Sequence, residues 1–120
     1  MKKLFLLISF FAILPVNAGV YEDALSGNDI VFLYLYSSYC KSCSTIAPYY
    51  EDIVNSHKEI KGVKVNADTS YGMSLLRKFR IMYVPYFVLT NSKSGKSVSV
   101  NSYCLVDNIC MERVLKGIKG

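Results

Sequence analysis

Residues Ile30-Val31-Phe32-Leu33-Tyr34-Leu35-Tyr36-Ser37-Ser38-Tyr39-Cys40-Lys41-Ser42-Cys43 decide the fold. The first seven are aliphatic or aromatic throughout and read as a buried strand. After Cys43 the spacing turns helical, as Ile46, Tyr49, Tyr50, Ile53 and Val54 show. A C-x-x-C at a strand-to-helix junction puts its first sulfur at a helix N-terminus. Unpaired N–H groups and the helix dipole there favour a thiolate. The second sulfur follows one turn later, close enough for a disulfide without backbone movement. These are the parts that thiol–disulfide exchange requires.

Outward from this stretch the elements alternate. Tyr21 to Leu25 reads as a short helix stopped by Ser26-Gly27-Asn28. The helix after the cysteines runs from Ser42 to His57, with Pro48 expected to kink it. Gly62 to Ala67 is a second strand, and Gly72 to Phe79 a helix with Leu75, Leu76 and Phe79 inward. Tyr86 to Thr90 is a strand with Val84-Pro85 just ahead of it. After a turn over Asn91 to Lys96, Ser97 to Tyr103 alternates as a hairpin strand does. Asp107 N-caps a last helix with Ile109, Val114, Leu115 and Ile118 inward. The order β-α-β-α-β-β-α demands a parallel pair in its first half and an antiparallel hairpin in its second.

The chain has 120 residues, enough for one domain with a modest core. Met1 to Ala18 has the form of a secretory signal peptide. Lys2 and Lys3 are its charged region, Leu4 to Leu14 its apolar run, and Val16-Asn17-Ala18 its cleavage site. The alternative is an uncleaved anchor, but the apolar run is well short of the ~20 residues of a spanning helix. Cleavage leaves residues 19–120 as the mature domain, with no stable membrane anchor. Net charge falls from +5 to +3 as Lys2 and Lys3 leave. The remaining lysines and arginines are scattered and not interleaved with aromatics, a solvated surface that excludes nucleic acid as a partner. All four cysteines lie beyond the leader. An exported chain meets an oxidising compartment, where disulfides persist.

The mature chain resembles the thioredoxin family over nearly its whole length. Cys40 and Cys43 stand where the family carries its active-site pair, and Pro48 matches the proline of its active-site helix. Val63-Lys64-Val65-Asn66-Ala67-Asp68 resembles a family strand including its lysine, and Val84-Pro85 the bond that is cis in the family and faces the cysteines. The resemblance implies an α/β thioredoxin fold, a central mixed β-sheet flanked by helices on both faces. It implies a protein-disulfide oxidoreductase, which the leader expected over Met1 to Ala18 makes an exported one, secreted to a bacterial periplasm. No cofactor and no metal are implied. The partners are protein thiol or disulfide clients and an unidentified redox partner protein. The chain departs from the family in three places. Tyr39 replaces the usual tryptophan, Lys41-Ser42 replaces Gly-Pro, and Tyr34 stands where the family buries an acid.

On this basis Cys40 is the nucleophile and Cys43 the resolving thiol. Lys41 and Ser42 stabilise the Cys40 thiolate by charge and hydrogen bond, with Tyr39 beside them. Val84 and Pro85 are expected to bind the client backbone. Lys64 is the candidate to handle the Cys43 proton, but position 34 offers it no acid partner, and Tyr34 is either a relay or a core aromatic. Cys104 and Cys110 flank the turn into the last helix. They fit a structural disulfide, two buried thiols or a second redox pair, the first being favoured. An all-cysteine zinc site from the two pairs, or a redox-inert adaptor, are the competing functions. His57, the sole histidine, is read as a solvated helix-end residue.

Overall fold

The computed structural model describes residues 19–120. The leader expected over residues 1–18 lies outside the described residues. The elements are α1 (Val20–Gly27), β1 (Ile30–Tyr36), α2 (Lys41–Ser56), β2 (Ile60–Asn66), α3 (Ser70–Lys78), β3 (Tyr86–Asn91), β4 (Ser97–Val100), α4 (Ser102–Leu105) and α5 (Asn108–Lys119). They form a thioredoxin fold. The sheet order is β2-β1-β3-β4, with β1 parallel to β2 and antiparallel to β3, and β3 antiparallel to β4.

β1 is apolar on both faces because it is central and both faces are covered. Its Ile30, Phe32 and Tyr34 face one core with Ile46, Tyr50 and Ile53 of α2 and Met111, Leu115 and Ile118 of α5. Val31, Leu33 and Leu35 face the other, with Tyr21 and Ala24 of α1 and Leu75 of α3. On the first side α2 lies unusually close to β2. A Cβ at Gly62 would come 2.9 Å from the Tyr50 hydroxyl. That hydroxyl donates to the Phe32 carbonyl at 2.6 Å and ties helix to sheet.

The structure corrects several sequence-based expectations. β4 ends at Val100, not Tyr103. The Asn101 carboxamide accepts the Tyr103 N–H at 2.8 Å, an N-cap that turns the chain into α4. Cys104 therefore lies in a short helix rather than just after a strand. β2 starts at Ile60 because Ile60 pairs with Ile30 of β1, and the chain turns after Asn66. Ile109 is 71% exposed, although the pattern of the last helix puts it inside, and Tyr49 of the helical-spacing stretch is 47% exposed. In α5 the buried stripe is Met111, Leu115 and Ile118. At 100° per residue Ile109 sits about 200° from Met111, on the solvent side. Tyr49 likewise stands one residue off the Cys43, Ile46, Tyr50, Ile53 stripe of α2.

Candidate active site

The loop from β1 to α2 is held at the sheet's end by its neighbours. Asp68 accepts from the Ser37 hydroxyl at 2.9 Å, and the Asn66 amide donates to Ser38 at 3.2 Å. Cys40 follows as the N-cap of α2. Its Sγ takes the Cys43 N–H at 3.1 Å, one of the helix's otherwise unpaired donors. Cys40 and Cys43 form a disulfide with α-carbons 5.2 Å apart. Cys43 is buried, 3% exposed, whereas Cys40 is partly open to solvent. The two sulfurs thus differ in access: one meets a partner from outside, the other only reaches inward to Cys40.

The side chains named in the sequence surround Cys40. The Ser42 hydroxyl lies 3.5 Å from Cys40 Sγ. Lys41 is the first helical residue of α2 and is exposed. Tyr39 is 94% exposed and lines the same cleft as the pair. From the other side comes the segment leading into β3. α3 ends with Arg80 in the left-handed region, φ 56°, and the Ile81 N–H bonded to the Leu76 carbonyl at 2.8 Å. This reversal carries the chain to Val84-Pro85, whose peptide bond is cis. The Val84 carbonyl oxygen lies 3.9 Å from Cys40 Sγ. Met82 and Tyr83 just before it are 90% and 66% exposed.

Tyr34 sits behind Cys43 rather than in contact with solvent. Its hydroxyl donates to the Cys43 carbonyl at 2.8 Å, and its ring stacks on Phe87 at 4.8 Å. Burial pushes its phenol pKa up, with Tyr36 and Glu51 adding to the rise. Of the two sequence-based readings of Tyr34 the core aromatic is the one seen: the ring is buried, and its hydroxyl is committed to the backbone of the second cysteine. A cleft of about 500 Å3 opens beside the disulfide, lined by Tyr34, Tyr36, Tyr39, Cys40, Lys41, Cys43, Ala47 and Lys64 among others. Lys64 does have an acid partner, contrary to expectation. Its Nζ donates to Glu51 Oε2 at 2.7 Å. Glu51 lies on α2 and not at position 34, where the family's acid would stand. The available signal was helical spacing, since Cys43, Ala47 and Glu51 recur every four residues along one face of α2.

Cys104 and Cys110 form a second disulfide, with α-carbons 5.2 Å apart, that links α4 to α5. Cys104 is 5% exposed. Among the described residues no group of three or more His, Cys, Asp or Glu side chains is placed to hold a metal ion. His57 is not merely solvated. It meets the Ile53 carbonyl through Nδ1 at 2.9 Å and Glu112 of α5 through Nε2 at 3.1 Å.

A disulfide closed over one helical turn, with its first sulfur accessible at a helix N-terminus, is a dithiol–disulfide redox centre. On this fold it defines a thiol–disulfide oxidoreductase. The family model described as thioredoxin matches residues 12–108, and the chain belongs to the thioredoxin family. It is 29% identical to thioredoxin-1 of Caenorhabditis elegans over 89 residues, 74% of this chain and 73% of that protein. Similarity to protein disulfide-isomerase 1 of the same organism is 30% identity over 88 residues, 70% of this chain but only 17% of that protein. Among solved structures, oxidised thioredoxin from Plasmodium falciparum superposes with a TM-score of 0.64 at 21% identity, covering 81% of this chain and 92% of that one. Thioredoxin from Trypanosoma brucei brucei gives 0.63 at 22% identity, covering 80% and 83%. At these identities the structural likeness concerns the fold alone.

Proposed function

We propose that this protein is exported to an oxidising compartment, a bacterial periplasm, and exchanges disulfides with cysteines of client proteins through Cys40 and Cys43. The observation that carries the reading is the asymmetry of the pair: Cys40 is accessible and caps α2, and Cys43 is buried behind it. On reduction, the Cys43 N–H and the dipole of α2 stabilise a Cys40 thiolate, aided by the Ser42 hydroxyl and the charge of Lys41. Cys40 attacks a client disulfide, one client sulfur leaves as thiolate, and a mixed disulfide forms. Cys43 loses its proton and attacks Cys40 Sγ, which releases the second client sulfur. The client gains two electrons and the enzyme regains its Cys40–Cys43 bond. Oxidation of a client dithiol is the same sequence reversed. Val84 and Pro85 present backbone beside the reacting sulfur, and Tyr39, Met82 and Tyr83 offer apolar surface to the client.

The test is insulin reduction together with trapping. Cys40→Ser abolishes turnover, and Cys43→Ser accumulates mixed disulfides with clients. Full turnover by Cys40→Ser sinks the reading. Reduction potential sets the direction of flow: a pair near about −270 mV donates electrons, and one near about −120 mV accepts them. Export is checked separately, by finding Gly19 at the N-terminus of protein recovered from the extracytoplasmic fraction. Protein that retains residues 1–18 in the cytosol refutes export.

A further inference from the structure

We propose that Glu51 is the proton acceptor of the resolving step, forming with Lys64 the acid–base pair that takes the proton of the Cys43 thiol along the cleft. The inference rests on the exchange reading above. Cys43 is 3% exposed, so its proton must leave through the protein's own groups or through the cleft beside it. Tyr34, which also lines the cleft, already donates its hydroxyl to the Cys43 carbonyl. The other ionisable side chains lining the cleft are Tyr36 of β1, Tyr39 and Lys41 on either side of Cys40, and Lys64 of β2. Side chains of these types are proton donors at neutral pH, not acceptors. A carboxylate is needed, and two meet this lining: Asp68, already accepting from the Ser37 hydroxyl and the Ser38 N–H in the loop before Cys40, and Glu51, 2.7 Å from Lys64 Nζ and on the helix that carries Cys43. Asp68 is committed to holding that loop, which leaves Glu51 to take the proton.

The path is built by spacing. Cys43, Ala47 and Glu51 recur every four residues along one face of α2, and Cys43 and Ala47 both line the cleft. Lys64 pairs with Tyr34 across the β1–β2 ladder and lines the same cleft as the second cysteine. Tyr34 is held protonated chiefly by burial, then by Tyr36 and by the charge of Glu51, so the field of that carboxylate reaches the residue behind Cys43. The step balances as follows. The Cys43 S–H bond breaks, and its proton passes through solvent in the cleft to the Glu51 carboxylate, whose charge Lys64 had balanced. The sulfur pair forms the bond to Cys40 Sγ while the Cys40–client S–S bond breaks. The client thiolate takes a proton from solvent, and Glu51 returns one.

The experiment uses the protein with its Cys40–Cys43 pair reduced, mixed with one equivalent of dithiobis-nitrobenzoate in a stopped-flow instrument. Attack by Cys40 releases the first coloured thiolate, and attack by Cys43 releases the second. In Glu51→Gln the second release slows roughly tenfold near about pH 6, the low end of what general acid–base catalysis supplies, and the first is unchanged. The difference vanishes at about pH 9, above the ~8.5 at which thiols ionise unaided. Glu51→Asp restores part of the rate. A second phase that is unchanged in Glu51→Gln, or slowed equally at every pH, overturns the inference. If the wild type shows no first release, the exchange reading fails and the inference fails with it.

Discussion

Removing the Cys104–Cys110 disulfide by Cys104→Ala with Cys110→Ala lowers stability without touching the exchange centre. The two residues are six apart in sequence, and the bond holds α4 to α5. α4 also packs on α2, so the staple braces the end of the helix layer. In the chain-entropy model a loop of about seven residues removes ~8 cal/mol/K from the unfolded ensemble, or ~2.4 kcal/mol at 25 °C. For a domain of about a hundred residues the unfolding entropy near the midpoint is ~0.21 kcal/mol/K, so the expected drop in Tm is ~11 °C. Cys104 is 5% exposed, so loss of its sulfur from the core makes this a lower figure. Thermal unfolding followed by circular dichroism in non-reducing buffer measures the shift, and insulin reduction measures turnover. A fall under about 3 °C refutes the loop-closure argument, because at that unfolding entropy it leaves well under about 1 kcal/mol for the staple. Lost turnover at unchanged Tm makes the pair a redox relay instead.

Tyr50→Phe removes a hydroxyl that donates to the Phe32 carbonyl in a side chain only 1% exposed. The expected loss is about 1–2 kcal/mol in urea unfolding, with unchanged m-value, and no loss means that the helix-to-sheet tie is idle. His57 makes stability pH-dependent. Its pKa is raised by the Ile53 carbonyl and then, against burial, by Glu112. A raised folded pKa means that the stabilisation is complete below the ordinary value of ~6.5 and is lost as pH rises through the folded value. The Tm gap between wild type and His57→Gln is therefore larger at about pH 5.5 than at about pH 8, and a constant or reversed gap refutes the assignment.

The run Ile30–Tyr36 is legible as a central strand because seven consecutive apolar residues have no solvent side to spare. The Cys40–Cys43 pair is legible for a similar reason: local spacing alone dictates that two sulfurs one helical turn apart meet at the start of α2. Errors fell where a local pattern had a competitor. The alternation from Ser97 onward was cut short by the Asn101 cap, which outbids one more pair of ladder bonds. Ile109 was assigned inward on hydrophobicity, but the phase of α5 is set by Met111, Leu115 and Ile118.

By itself the sequence determined the α/β element order, the central position of β1 and the identity of the redox pair. Each follows from interactions within a few residues or from burial on both faces. Only the tertiary structure decided which groups serve that pair. Lys64 and Glu51 are 13 residues apart and meet because β2 returns parallel to β1 beneath α2. Val84 is 44 residues from Cys40 and meets it because β3 runs antiparallel to β1, with Tyr86 beside Leu35. His57 and Glu112 are 55 apart and join the ends of two helices on one face. Such pairings depend on strand order and helix packing, which a linear pattern constrains only through the whole fold.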